Sequence, residues 1–182
     1  EEDFVTNLIS ANTHSDLLFF TNRGKAYQIK MYDIPEGKRA TKGKSIVNFI
    51  SLDGDERVTS ILPVDKETKK TVECLMLVTA KGVAKKVSAE SFKDVRRSGL
   101  IAISLDKDDQ LQSVLPVTKG DDVIMATALG QSIRFKESDV REMGRSAGGV
   151  RAIKLKKGDE VIGVDLIPKG EHTKTFLTLG AE

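Results

Sequence analysis

The amino-acid sequence predicts an all-β fold, a propeller-like array of four-stranded units. Three segments, at about 17–64, 74–117 and 123–168, align with one another along their length. Each contains short apolar or alternating runs separated by turn residues, and none shows a long stretch of 3.6-residue periodicity. Short strands that recur at a fixed period are typical of propellers and related arrays.

Each unit begins with a predicted β-hairpin. Its first strand is an apolar run such as 17–20, and its second strand alternates, with Tyr27 and Ile29 on one face and Gln28 and Lys30 on the other. Glycine tolerates the positive φ that a tight hairpin requires. The turn between the strands carries the pattern Thr-x-x-Gly, which recurs at Thr21–Gly24, Thr79–Gly82 and Thr127–Gly130.

The second half of each unit returns to the sheet through a polar connection. We expect short helical turns at 89–94 and 137–142, and third strands at 46–52, 100–105 and 150–155. An acidic turn, at 53–56, 106–109 and 158–160, then leads into the fourth strand. Pro63 and Pro116 lie where the fourth strand should end, because proline removes a ladder donor.

Two partial copies flank the complete units. Residues 3–10 match the last strand of a unit, and residues 174–180 match a first strand. The chain also lacks an initial Met. We therefore expect residues 1–182 to form one array that was cut from a longer one.

Composition narrows the class of protein. The chain has 182 residues, a net charge of +2 and one cysteine, Cys74, which rules out an internal disulfide. It has no apolar run long enough to span a membrane and no signal sequence, so we expect no membrane partner and a cytoplasmic origin.

Basic residues are concentrated at equivalent places in the three units. Residues 23–44 contain seven basic and two acidic residues, residues 81–97 contain six and two, and residues 134–157 contain eight and three. If the units are equivalent in space, these clusters share one surface and the acidic turns lie elsewhere, as expected of a protein that follows a nucleic-acid backbone. The predicted DNA-binding residues are Arg23, Lys25, Lys38, Arg39, Lys42, Lys44, Lys81, Lys85, Lys86, Lys93, Arg96, Arg97, Arg134, Lys136, Arg141, Arg145 and Arg151.

Other kinds of site find less support in the sequence. Charged loops are often only solvated surface, and a basic face could instead bind an acidic protein. There is no Trp and no P-loop pattern, so base stacking and an ATP site are not expected. The only tyrosines, Tyr27 and Tyr32, are expected to pack, and His14 and His172 lack metal-ligand spacing. We predict no catalytic residue, no metal site and no cofactor within this chain.

Four features of the sequence are shared with a known family: the Thr-x-x-Gly hairpin and residues 39–48, 133–145 and 158–166. They resemble the C-terminal domain of the DNA gyrase A subunit, and the resemblance covers essentially the whole chain. The related domain of topoisomerase IV remains an alternative. The basic motif Gln-Arg-Arg-Gly-Gly-Lys-Gly that marks the gyrase family is absent, and residues 39–44 repeat its chemistry only weakly.

The resemblance implies a β-pinwheel, in which neighbouring blades exchange strands and duplex DNA wraps around a basic rim. It implies a parent type IIA topoisomerase, bacterial, cytoplasmic and associated with the nucleoid, whose wrapping domain supports ATP-dependent negative supercoiling. Its partners would be double-stranded DNA, the rest of the A subunit, and the B subunit. ATP, Mg²⁺ and the catalytic tyrosine would lie elsewhere in that enzyme.

Overall fold

The computed structural model describes residues 7–170 and residue 173. Its one short α-helix, α1, spans Thr68–Thr71, and 3-10 turns span Met31–Asp33, Ile46–Asn48, Ala89–Phe92 and Glu137–Asp139. The helices of the described residues are all too short and too polar to cross a membrane. The strands are β1 (Asp16–Thr21), β2 (Lys25–Lys30), β3 (Val58–Val64), β4 (Cys74–Thr79), β5 (Val83–Ser88), β6 (Leu100–Ile101), β7 (Leu111–Val117), β8 (Asp122–Thr127), β9 (Ser132–Lys136), β10 (Val150–Arg151) and β11 (Val161–Ile167).

The strands form three antiparallel sheets that exchange strands between neighbouring units. The sheet orders are β3-β1-β2-β6, β10-β5-β4-β7 and β11-β8-β9. Strand β6 belongs to the second unit but pairs with β2 of the first, and β10 of the third unit pairs with β5 of the second. The predicted all-β, propeller-like fold is confirmed, and the exchange is the one that a pinwheel requires.

The third strands are shorter than the sequence predicted. We call residues 46–52, 100–105 and 150–155 the return segments. The second and third contribute only the two-residue strands β6 and β10, and the first contains a 3-10 turn where a strand was expected. A return segment pairs with the hairpin of the preceding unit, and the described residues contain no such hairpin ahead of β1. That part of the prediction is wrong for 46–52.

The second and third return segments each insert an apolar side chain between two sheets. Ile103 lies in a buried cluster with Phe20 of the first unit and Leu77 of the second, and Ile153 occupies the same place between the second and third units. Gly24, in the first hairpin turn, leaves space for Ile103. At its φ of +72°, an added Cβ would lie 2.7 Å from the carbonyl oxygen of Ile103. Neighbouring units therefore share their cores.

The predicted partial units fall mostly outside the described residues. This holds for 3–6 and 174–180, whereas residues 7–10 are described and carry no strand. The helical turns expected after the second and third hairpins are present at Ala89–Phe92 and Glu137–Asp139.

Asp16, at the start of β1, is a nearly buried carboxylate that is paired with two lysines. Its carboxylate is 7% exposed and forms ion pairs with Lys30 and with Lys69, whose Nζ lies 2.9 Å from Oδ2. Burial alone would raise the pKa of Asp16, but the hydrogen bonds from the two lysines outweigh it and the pKa is lowered.

Asp16→Asn is therefore expected to reduce the free energy of unfolding at pH 7 by about 1.5–3 kcal/mol. A carboxyl group with a lowered pKa in the folded state stabilises the fold above its unfolded pKa, near 3.8. The difference between the two proteins should thus shrink as the pH falls below that value. Urea unfolding measured between pH 2.5 and 7 tests this, with Asp94→Asn, at an exposed position, as the control.

Candidate nucleic-acid interface

The acidic turn of the first unit lies against the tip of its own hairpin. Glu56 is buried there, where Thr21 Oγ1 donates to its Oε1 at 2.5 Å and the Tyr27 hydroxyl lies 3.1 Å from its Oε2. Lys25 Nζ lies 2.7 Å from Asp53 Oδ2, and Arg23 forms an ion pair with Asp55.

The other two acidic turns also contact hairpin tips. Asp109 Oδ1 accepts from the backbone N–H of Lys81 at 3.0 Å, and Asp159 Oδ1 accepts from that of Leu129 at 2.9 Å. Lys81 Nζ itself donates to the carbonyl of Lys107 at 2.7 Å. The expectation that acidic turns lie away from the basic clusters is therefore wrong at the hairpin tips.

These contacts reduce the positive potential of the tips. The hydrogen bond from Lys25 holds the pKa of Asp53 below its usual value, and the bond from Arg23 does the same for Asp55. The carboxylates are thus charged at neutral pH and oppose the nearby cations. At the first tip two cations, Arg23 and Lys25, face three carboxylates, those of Asp53, Asp55 and Glu56, so the tip has no net positive charge to offer a phosphate. Arg23, Lys25 and Lys81 are therefore weaker candidates for phosphate binding than their own charge suggests.

A second basic surface is formed by the loops that follow the hairpins. We call residues 35–45, 93–99 and 141–149 the rim loops. The second one lies along β2 of the first unit, where the backbone N–H of Val95 donates to Gln28 Oε1 at 3.3 Å. The third one lies along β5 of the second unit, where the N–H of Met143 donates to the carbonyl of Lys86 at 2.8 Å. These two loops therefore occupy equivalent positions on neighbouring units.

The rim loops hold most of the predicted DNA-binding cations that are exposed and unpaired. Every residue of the first rim loop is exposed. Ten of the predicted cations are exposed and form no ion pair with a carboxylate of the described residues, and seven of the ten lie in rim loops. The ten are Lys38, Arg39, Lys42, Lys44, Lys81, Arg96, Lys136, Arg141, Arg145 and Arg151.

Three further predicted cations form ion pairs at the surface. Lys93 pairs with Glu90, Arg97 NH2 lies 3.1 Å from Asp33 Oδ2, and Arg134 NH2 lies 2.5 Å from Asp122 Oδ2. Each of these cations is at least half exposed. Exposed pairs contribute about 0–1 kcal/mol, so a phosphate could replace the carboxylate at little cost.

Lys85 and Lys86 do not lie on this surface. Lys85 is fully buried, and its ammonium donates to the carbonyls of Ala102, Arg145 and Ala147. Burial, followed by the charge of Arg145, lowers its pKa to about 8. Lys86 Nζ lies 2.5 Å from Glu137 Oε2, with the two side chains 14% and 8% exposed. The prediction that these two lysines bind phosphate directly is wrong, because the ammonium of Lys85 is buried and that of Lys86 is paired with Glu137.

The sequence did contain a signal for the burial of Lys85. It lies three residues after the hairpin glycine, as do Tyr27 in the first unit and Ile133 in the third. Tyr27 is fully buried and Ile133 half-buried, so this position faces inward in every unit. An inward-facing lysine requires hydrogen-bond acceptors, and it could be distinguished from a surface cation by alignment of the repeats alone.

The sequence is similar to known proteins over nearly its whole length. The family model described as "DNA gyrase C-terminal domain, beta-propeller" matches residues 15–65, 75–118 and 121–168. The DNA gyrase A subunit of Klebsiella oxytoca is 44% identical over 171 residues, which cover 94% of this chain and 19% of that protein. The chain thus spans about a fifth of the length of this relative.

Two solved structures have a similar fold. The C-terminal domain of a DNA topoisomerase IV aligns with a TM-score of 0.77 and 30% identity, over 86% of this chain and 48% of that one. A DNA gyrase A C-terminal domain aligns with a TM-score of 0.69 and 30% identity, over 90% and 53%. The resemblance found in the sequence is confirmed by these matches.

Proposed function

Because the chain belongs to the family of DNA gyrase C-terminal domains, we propose that it binds duplex DNA on its rim loops and bends the duplex around them. The observation that supports this most directly is the seven exposed, unpaired cations of the three rim loops. Lysine and arginine on such a surface contact phosphate oxygens, which are present in every sequence. Binding is therefore nearly independent of sequence.

Double-stranded DNA is the better substrate for this surface. Proteins that hold single strands stack bases on exposed aromatic rings. Among the described residues, Tyr32 is the one aromatic side chain that is largely exposed. A row of cations without stacking platforms suits a continuous phosphate backbone.

The energetics of bending require several phosphate contacts at once. Bending a short duplex by 40–90° costs about 1–6 kcal/mol. Two of the rim loops occupy equivalent places on neighbouring units, so their contacts follow one another along a curved path. Contacts distributed in this way can offset the cost of bending.

We assign the chain to the A subunit of a bacterial gyrase rather than to topoisomerase IV. The support is that the matching family model is that of DNA gyrase C-terminal domains and that the relative at 44% identity is a gyrase A subunit. The two solved structures, one from each enzyme, are equally similar at 30% identity. In the parent enzyme the bent duplex would support ATP-dependent negative supercoiling, in the bacterial cytoplasm and on the nucleoid. Binding by this chain would need no cofactor, while ATP, Mg²⁺ and the B subunit would act elsewhere in the complex.

Binding to two unrelated duplexes of equal length tests the proposal. Fluorescence anisotropy between 50 and 200 mM salt should give similar affinities for both. The binding constant should fall steeply with salt, with a slope of about −0.9 for each phosphate contact. Affinity that differs strongly between the sequences, or that does not change with salt, would contradict backbone binding.

The competing function is a protein-interaction propeller whose basic loops bind an acidic partner. It predicts only the weak DNA binding expected of a protein with a net charge of +2. An acidic peptide added as competitor separates the two functions. Under our proposal it should displace DNA only at concentrations that act through ionic strength.

A further inference from the structure

The ammonium of Lys85 joins two segments of chain that belong to different units. It donates to the carbonyl of Ala102, in the return segment of the second unit, at 2.9 Å. It also donates to the carbonyls of Arg145 and of Ala147, the latter at 2.8 Å, both in the third rim loop. One buried side chain thus satisfies three backbone acceptors.

Backbone contacts hold the same loop on both sides of the lysine. The N–H of Met143 donates to the carbonyl of Lys86 at 2.8 Å, and the N–H of Ser104 donates to the carbonyl of Ala147 at 3.3 Å. Residues 143–147 are therefore held between β5 and the second return segment. Lys85 lies at the centre of these contacts.

The second rim loop is held in a different way. Tyr27 occupies the position equivalent to Lys85, and its ring packs against Gly99, where an added Cβ would lie 2.6 Å from Cε1. The hydroxyl of Tyr27 points to Glu56 rather than to a carbonyl of the loop. Only the third rim loop is tied down by an ammonium among the described residues.

We propose that Lys85 is a positioning residue for DNA binding, which fixes the third rim loop so that Arg141 and Arg145 meet consecutive phosphates. This inference rests on the proposed function. Arg145 supplies a carbonyl to Lys85 while its own side chain is exposed, so the loop is anchored through its backbone and presents its guanidinium outward. Lys85 acts on DNA through the loop and never touches it.

Loss of the ammonium should release the loop. Methionine has a similar length and no donor, so Lys85→Met removes the ammonium from three backbone carbonyls. The carbonyl of Ala147 keeps the N–H of Ser104, whereas those of Ala102 and Arg145 lose a charged donor. Amide exchange at residues 143–149 is expected to accelerate by about tenfold or more, because hydrogen bonds to a charged group are lost. Exchange at 93–99 should not change, and Lys81→Met, at an exposed site on the same hairpin, is the matched control.

A double-mutant cycle separates positioning from general stability. Lys85→Met alone should lower the salt slope of duplex binding by up to about 1.8, the contribution of two phosphate contacts. Between 50 and 200 mM salt, that changes the ratio of wild-type to variant affinity by about tenfold. Arg141→Gln with Arg145→Gln should have the same effect, and all three changes together should add nothing more. Additive effects, or a wild-type slope in Lys85→Met, would overturn the inference.

A second variant keeps the test open if Lys85→Met does not fold. Gly149 has a φ of +99°, and an added Cβ would lie 2.7 Å from Val83 Cγ1 and 2.8 Å from the carbonyl of Ala84. Gly149→Ala should therefore lift the loop from β5 while Lys85 is retained, and it should lower the salt slope in the same way. Faster exchange at 143–149 with an unchanged slope would refute the positioning role. Failure of the wild-type chain to bind DNA would instead refute the proposed function.

Discussion

Glutamine in place of Lys38, Arg39, Lys42 and Lys44 together is expected to flatten the salt dependence of duplex binding more than any other change of four residues. All four side chains are exposed, and none pairs with a carboxylate of the described residues. Each phosphate contact that is removed lowers the slope by about 0.9, so the slope should fall by up to about 3.6. Affinity measured by anisotropy from 50 to 200 mM salt gives this slope directly.

The hairpin-tip cations provide the control for that experiment. Glutamine at Arg23, Lys25 and Lys81 removes charges that already have partners within the protein, so the slope should change by much less. The rim-loop variant should also keep its unfolding midpoint, because exposed substitutions change stability by about 0.5 kcal/mol or less. A wild-type slope in the rim-loop variant would show that the first rim loop does not contact DNA.

Phe92→Ala is expected to destabilise the fold by about 3–5 kcal/mol, the usual cost of removing a buried Phe side chain. The Phe92 ring is 2% exposed and meets Phe20 of the first unit edge to face, with centroids 5.5 Å apart. This contact joins two units, so its loss weakens their shared core. The expected cost is a large fraction of the roughly 5–15 kcal/mol by which typical domains are stable.

Urea unfolding followed by circular dichroism measures this effect. Tyr32→Ala is a suitable control, because Tyr32 is 63% exposed and should contribute little to stability. A loss below about 1 kcal/mol for Phe92→Ala would mean that the two units do not depend on each other through this contact.

The hairpins could be predicted from the sequence because their signals are local. The Thr-x-x-Gly pattern and the alternation after it lie within a few residues, and the structure places β1–β2, β4–β5 and β8–β9 there. Helix α1 was missed although it carries a local signal as well. Asp65 Oδ1 accepts from the backbone N–H of Thr68 at 2.7 Å, which begins that turn.

The return segments could not be placed from residue patterns alone. Their partner strands lie in the preceding unit, so the apolar run at 100–105 looks the same whether it pairs within its unit or outside it. Only the family resemblance implied the exchange. The hydrogen-bond partners of Lys85 could not be predicted for a related reason. Its acceptors come from two segments that are distant from it in sequence.

The distribution of charge over the surface could be predicted only in part. Equivalent basic loops were expected, and the second and third rim loops do occupy equivalent positions. The pairing of the hairpin tips with the acidic turns was not expected, because the return segment brings the turn back to the tip only in the folded chain. Charge along the sequence therefore overstated the number of free cations.

Relaxation of closed circular DNA by a nicking-closing enzyme in the presence of this chain tests most directly whether the rim bends DNA into a wrap. A duplex that follows the rim loops with a fixed hand should leave a shift in linking number after the protein is removed, and the shift should grow with protein concentration until the DNA is saturated. The variant with glutamine at Lys38, Arg39, Lys42 and Lys44 should give a smaller shift. An unchanged linking number at concentrations where the chain saturates the DNA would contradict wrapping and leave only simple binding.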